Sequence, residues 1–136
     1  NLRTDYALRM LMALAAKDDV VSIDWIADRY GISRNHLAKV AQDLAAAGFV
    51  ETLRGRSGGL RLARQASQIN VGEVVRSLEN THGFVACMGG KETCGVCGLK
   101  PALAGALEAF LSHLDEFDLG QITGSKSQIM QRLAPA

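Results

Sequence analysis

The chain has 136 residues, a formal net charge of +1, 48% hydrophobic residues and 21% charged residues. This length fits one domain, or one small domain with an added dimerisation element. The composition is ordinary for a globular protein, and no apolar run is long enough to span a bilayer. Residues 1–14 lack the pattern of a secretory signal peptide, so we expect the protein in the cytoplasm.

Three helices are predicted in the first 48 residues. Ser22 is a suitable N-cap for a second helix that runs to Tyr30, and Gly31 is a suitable stop for it. After a tight turn, Ser33 is placed to cap a third helix that ends at Gly48. The first helix is predicted by apolar residues at helical spacing, which are Tyr6, Ala7, Met10, Leu11 and Leu14. The buried face of the third helix is predicted to be Leu37, Val40, Ala41 and Leu44.

A hairpin and further helices are predicted after these. Residues 49–53 and 59–64 have the character of two short strands, joined by a glycine-rich tip at 54–59. Asn70 and Glu73 predict a capping box at the start of a helix over 71–79. Beyond the cysteines, Pro101 suits the first turn of a long helix, and a short helix follows.

This order of elements predicts a mostly α fold with a small β-hairpin wing, in which a winged helix-turn-helix is joined to a long dimerisation helix. We assign residues 1–80 to a winged helix-turn-helix DNA-binding domain and residues 81–99 to a cysteine loop that binds a cluster. Residues 100–136 form the dimerisation helix and a C-terminal tail. Apolar residues of that helix follow the spacing of a coiled-coil seam, and they are Leu103, Leu107, Phe110, Leu114 and Phe117. The alternative is a face that packs within the subunit.

Positive charge is concentrated in the predicted third helix and hairpin. Residues 33–64 hold six basic and two acidic side chains, whereas residues 65–136 hold five basic and seven acidic ones. A basic stretch in a nearly neutral chain is typical of phosphate contact, and the alternative is an ordinary solvated surface.

The start of the third helix has the residue types of a recognition helix. Base contacts normally come from the N-terminal residues of such a helix, arginine can bind guanine and asparagine can bind adenine. Arginines at the hairpin tip would reach phosphates or an adjacent minor groove. The predicted DNA-binding residues are Ser33, Arg34, Asn35, His36, Lys39, Arg54, Arg56 and Ser57. The alternative is a helical hairpin with ordinary surface charges.

Three cysteines, Cys87, Cys94 and Cys97, lie within eleven positions. An odd number does not make a closed set of disulfides, and clustered thiols in a reducing compartment indicate metal or cluster binding. Thiolates suit iron–sulfur clusters and zinc; free or redox-active thiols are the third possibility. A fourth ligand would be an oxygen or nitrogen donor, and the candidates are Asp5, His82, Glu92 and His113. No nucleophile elbow, phosphate loop or dinucleotide motif is present, so we do not expect an enzyme.

Several segments resemble the IscR/NsrR-type family of iron–sulfur transcription regulators. They are residues 4–9 (TDYALR), 30–36 (YGISRNH), 54–62 (RGRSGGLRL) and 97–100 (CGLK), with the Asp118-Leu119 pair after the long helix. The first two segments are most similar to the nitric-oxide-sensing NsrR branch. The resemblance covers nearly the whole chain.

The resemblance implies a homodimer that binds a palindromic operator and carries a [4Fe–4S] or [2Fe–2S] cluster near the dimer interface. It implies that Asp5 is the fourth ligand and that repression is relieved by nitric oxide. The spacing of Cys94 and Cys97 is shorter than in many members of the family. An iron- or cluster-status regulator of the RirA or IscR kind therefore stays as an alternative, as does a zinc- or thiol-based redox regulator.

Overall fold

The computed structural model describes residues 2–79 and 98–133. Seven helices and one hairpin are present in this part of the chain. They are α1 (Leu2–Lys17), α2 (Ile23–Tyr30), α3 (Arg34–Ala46), β1 (Val50–Leu53), β2 (Gly59–Leu62), α4 (Val71–Leu78), α5 (Leu99–Leu114), α6 (Leu119–Thr123) and α7 (Lys126–Leu133), with a 3-10 turn at Ala66–Gln68. The mostly helical fold with a two-stranded wing is confirmed. None of the described helices is both long and apolar enough to cross a membrane.

Helix α1 lies at the centre of the hydrophobic core. It contacts α3, α4, α6, α7 and β2. Its fully buried side chains include Met10, Leu11 and Leu14, which pack with Phe49, Leu60 and others of the core cluster. Burying one side chain of this size contributes about 1.5–3 kcal/mol. The apolar face predicted for α1 is therefore the surface around which the domain assembles.

The helix-turn-helix is formed by α2 and α3, and its first cap agrees with the prediction. The Ser22 hydroxyl accepts a hydrogen bond from the Trp25 amide at 3.1 Å. Gly31 ends α2 with φ 63°, a left-handed conformation that glycine adopts without strain. The predicted cap at Ser33 is wrong in its detail: Ser33 precedes α3, but its side chain makes no capping hydrogen bond. Its backbone carbonyl instead accepts from the Leu37 amide at 3.1 Å.

The wing is shorter than the sequence predicted. Its strands pair antiparallel with Thr52 opposite Leu60. Strand β1 begins one residue later than predicted, and β2 ends two residues earlier. The wing also pairs with the connection between α1 and α2, because Leu60 and Val21 exchange two backbone hydrogen bonds of 2.7 and 2.8 Å. This bridge fixes the hairpin against the core.

The capping box predicted at α4 is only half present. The Asn70 carbonyl oxygen Oδ1 accepts from the Glu73 amide at 3.0 Å. The Glu73 carboxylate, however, pairs with Arg64 at 3.3 Å. A complete capping box occurs instead at α6, between Asp118 and Gln121.

A dense set of contacts fastens the end of α5 to the start of α4. Arg76 binds both carboxylate oxygens of Asp115, the longer contact being 2.8 Å, and this lowers the pKa of Asp115. The Asn70 amide donates to the Asp115 carbonyl at 2.7 Å, and the Val71 amide donates to the Phe117 carbonyl at 3.0 Å. A methyl group at Gly72 would overlap the Asp115 carboxylate. We call this contact region the α4–α5 joint.

Candidate nucleic-acid interface

The first turns of α3 expose a row of polar side chains. Arg34, Asn35, His36 and Lys39 are all exposed. The opposite side of α3 is buried, where Leu37, Val40, Ala41 and Leu44 join the core. Because the buried residues repeat at helical spacing, the residues between them must face outward. The predicted recognition residues thus share one exposed surface.

Arg34 is held by an acidic residue of the preceding helix. Its Nε donates to Oδ1 of Asp24 at 2.6 Å, and the two side chains are 62% and 64% exposed. Asp24 lies in the first turn of α2, where the helix dipole favours a negative charge. The sequence did not predict this ion pair, because the helix dipole alone accounts for an acidic residue in the first turn of a helix.

The wing tip presents basic side chains to solvent. Arg54, Arg56 and Ser57 are exposed in the turn between the strands, and neither of the two arginines has an acidic partner within the described residues. Arg61 of β2 pairs with Glu51 of β1 across the hairpin, and its Nε lies 2.7 Å from Oε2 of the carboxylate. The strand arginine Arg61 is thus paired locally, whereas the two arginines of the tip are available for an outside anion.

The first turns of α1 contact two other parts of the molecule and make one ion pair within the helix. Arg3 Nε donates to Asp43 of α3 at 2.8 Å, and the Thr4 hydroxyl donates to the Glu79 carboxylate just after α4. Asp5 pairs with Arg9 at 2.8 Å. None of these contacts between elements was predicted, because each joins residues at least 40 positions apart.

Arg9 extends the same set of contacts to the end of α2. Its guanidinium lies 5.8 Å from the centroid of the Tyr30 ring, and the Tyr30 hydroxyl donates to the Arg9 carbonyl at 3.3 Å. Burial raises the pKa of the Tyr30 phenol, which therefore stays protonated as a donor at neutral pH. The residue preceding Gly31 in the helix-turn-helix is thus fixed on α1.

The predicted metal ligands fall into two groups. Cys87, Cys94, Cys97, His82 and Glu92 lie outside the described residues. Asp5 and His113 are both exposed, and His113 lies 3.5 Å from Glu116. Among the residues that are described, no three His, Cys, Asp or Glu side chains are grouped to hold a metal ion.

Asp5 follows Thr4, a residue that contacts the last described position before the cysteine segment. Thr4, its neighbour in α1, contacts Glu79, and the cysteine segment follows that residue in the chain. The chemistry of the donors also fits the cofactor, since three thiolates with one carboxylate are suitable ligands for iron. Asp5 is engaged by Arg9 through Oδ2 in this structure.

Helix α5 has an apolar face that the rest of the described chain does not cover. Leu111 is the one buried side chain of this helix, and it is not part of the predicted seam. Phe110 is 56% exposed and Leu99 is 55% exposed. The other seam residues, which are Leu103, Leu107, Leu114 and Phe117, are half-buried. An uncovered apolar face of this kind is typical of a protein–protein contact.

Comparison with known proteins shows which family has this combination of features. Residues 1–125 match the family described as "Rrf2: Iron-dependent Transcriptional regulator". The HTH-type transcriptional regulator NsrR of Bacillus licheniformis is 44% identical over 137 aligned positions, which cover 96% of each chain. NsrR of Bacillus subtilis is 45% identical over 136 positions, covering 96% of this chain and 93% of the relative.

Solved structures show the same fold. IscR of T. potens has a TM-score of 0.75 and 25% identity, and the match covers all of this chain and 92% of that one. CymR of B. subtilis, described as a global cysteine regulator, has a TM-score of 0.73 and 24% identity, covering 90% of this chain and 94% of that one. The winged helix-turn-helix is therefore an architecture that this chain shares with both proteins.

Proposed function

Because the chain belongs to the Rrf2 family, it is a DNA-binding transcriptional regulator and not an enzyme, and we propose that it is a homodimeric, nitric-oxide-sensing repressor gated by an iron–sulfur cluster. The observation that carries the DNA-binding part is the exposed polar row of α3 beside a basic wing tip. The sensory part is supported by the cysteine segment, by Asp5 and by the similarity to NsrR at 44–45% identity.

The DNA contact is divided between α3 and the wing. Arg34, Asn35, His36 and Lys39 enter the major groove, because an exposed N-terminal turn can approach base edges closely. Asparagine binds adenine through two hydrogen bonds, which makes Asn35 a residue that reads sequence. Arg54, Arg56 and Ser57 contact phosphates or the neighbouring minor groove, and these contacts position the protein without reading sequence. Ser33, which is exposed immediately before α3, contacts the DNA beside these residues.

The proposed cluster is a [4Fe–4S] or [2Fe–2S] cluster held by Cys87, Cys94, Cys97 and Asp5. When bound, it supplies iron that reacts with nitric oxide, and a carboxylate ligand is more readily exchanged than a thiolate. On the protein side, Asp5 belongs to the turn of α1 that contacts α3 through Arg3 and the end of α4 through Thr4. A change of partner at Asp5, between iron and Arg9, would therefore act on a helix that contacts the recognition helix.

A second candidate signal is iron or cluster status. The family description names iron dependence, and the likeness to IscR extends over the whole chain. In that case iron limitation would release the DNA, whereas nitric oxide would not be required. A zinc- or thiol-based redox regulator is the remaining alternative, and a colourless zinc-containing protein would support it.

The first prediction separates base reading from phosphate contact. Asn35→Ala should reduce discrimination between the operator and single-base variants by about 1–3 kcal/mol if it makes a bidentate base contact. Arg56→Ala should weaken binding to all duplexes and reduce the slope of log affinity against log salt by about 1, because one phosphate contact is lost. Fluorescence anisotropy at several salt concentrations measures both. Wild-type discrimination in Asn35→Ala would show that the recognition assignment is wrong.

The second prediction concerns the apolar face of α5. Leu107→Asp combined with Leu114→Asp would bury unpaired charge in the proposed dimer seam, so the product should be monomeric or aggregated by light scattering and should bind operator poorly. Ala109→Asp with Ser112→Asp is the matched control, since it places the same charges on the far side of α5. A stable dimer of the first variant would contradict the assignment.

The third prediction concerns Asp5. Asp5→Ala should still bind iron through the three cysteines, but with an altered visible spectrum, a shorter lifetime in air and operator binding that no longer responds to nitric oxide. Asp28→Ala, which removes an exposed acid from α2, is the control and should keep the wild-type spectrum, lifetime in air and response to nitric oxide. A wild-type spectrum and wild-type release in Asp5→Ala would move the fourth ligand to His82 or Glu92.

A further inference from the structure

We propose that Asp24 is a positioning residue for Arg34, and that this pair sets the preference of the recognition helix for guanine at one operator position. The inference rests on the proposed DNA contact of Arg34 and goes beyond it. Asp24 does not itself bind a base in this proposal; it acts through the orientation of the guanidinium group.

The geometry of the pair restricts Arg34 while leaving its base-reading atoms available. Arg34 is the first residue of α3, and its Nε donates to Oδ1 of Asp24 at 2.6 Å across the helix-turn-helix. The guanidinium is planar, so fixing Nε restricts the plane of the whole group. No acid within the described residues other than Asp24 pairs with Arg34, and this contact uses Nε, which leaves donors on the two terminal nitrogens for another partner. Two parallel N–H donors match the O6 and N7 acceptors of guanine in the major groove.

The position of Asp24 also has an electrostatic consequence. In a helix-turn-helix, the helix before the recognition helix crosses the DNA backbone. A carboxylate in the first turn of α2 therefore lies on the side that approaches phosphates, and it lowers the affinity for every duplex. This repulsion is least when the carboxylate keeps its arginine partner. A DNA sequence on which Arg34 contacts a phosphate breaks the Asp24–Arg34 ion pair and is bound less tightly. A sequence that offers a guanine to Arg34 while the ion pair stays intact is bound more tightly.

Asp28 provides a matched comparison on the same helix. It lies one turn beyond Asp24 and is also exposed, and it makes no hydrogen bond or ion pair with α3. Removing Asp28 therefore reduces the negative charge of α2 without changing the surroundings of Arg34. A general charge effect would appear in both variants, but an effect on base preference is expected only in the Asp24 variant.

The experiment first selects binding sites for the full-length wild-type protein from a random duplex library. The preferred duplex and versions with each guanine replaced are then titrated with wild type, Asp24→Ala, Asp24→Asn, Asp28→Ala, Arg34→Ala and the Asp24→Ala/Arg34→Ala double variant. Asp24→Ala and Asp28→Ala should both bind a scrambled duplex more tightly at low salt. Of these two variants, Asp24→Ala alone should lose discrimination at one guanine, by about 2- to 5-fold, the range that corresponds to the coupling of an exposed ion pair.

Asp24→Asn keeps an oxygen acceptor without the charge and should retain part of the discrimination. The double variant should discriminate no worse than Arg34→Ala alone, because Asp24 acts only through Arg34. Unchanged discrimination in Asp24→Ala, with a loss in Arg34→Ala, would overturn this inference and leave the proposed DNA contact intact. Unchanged preference in Arg34→Ala would overturn both. An equal loss in Asp24→Ala and Asp28→Ala would show a charge effect and would also overturn the inference.

Discussion

The burial of α1 is the constraint on which the rest of the structure depends. This helix contacts the recognition helix, the wing strand β2, α4 and both C-terminal helices, so none of these elements can be displaced far without exposing its core residues. Its first turns, which project beyond the most tightly buried part, contact Asp43 of α3 and Glu79 after α4. The same turn therefore contacts α3 and Glu79, the last described residue before the cysteine segment.

The α4–α5 joint has a complementary role, because it attaches the end of the long helix α5 to the start of α4. Arg76 and Asp115 form a two-point ion pair, and the backbone hydrogen bonds from Val71 and Leu119 lie beside it. The absence of a side chain at Gly72 leaves space for the Asp115 carboxylate. A helix fastened in this way holds its apolar face at a defined angle to α3. If two copies meet along that face, the separation of their recognition helices is fixed, which is the condition for reading two half-sites together.

Much of the fold could be predicted from the sequence because local rules and tertiary packing agree. The periodicity of α1, the Ser22 cap and the Gly31 stop each determine structure within a few residues, and all are observed. The failures are in the details of two helix starts. Ser33 precedes α3 without capping it, and Glu73 pairs with Arg64 rather than completing its capping box. For the candidate site, residue types predicted which side chains are exposed, but not that Arg34 pairs with Asp24 or that Thr4 contacts Glu79, since such contacts depend on how helices pack. The cysteine ligands, which lie outside the described residues, stay predictions.

The most direct test of the central claim follows cofactor and DNA in one sample. Anaerobically purified full-length protein is bound to a fluorescent duplex obtained by site selection and titrated with nitric oxide, while visible absorbance and anisotropy are recorded together. The account predicts a coloured protein that contains iron and sulfide, and it predicts that anisotropy falls in proportion to the loss of the original absorbance. The account would be contradicted by a colourless protein that binds the duplex tightly, or by DNA binding that persists after the absorbance has gone.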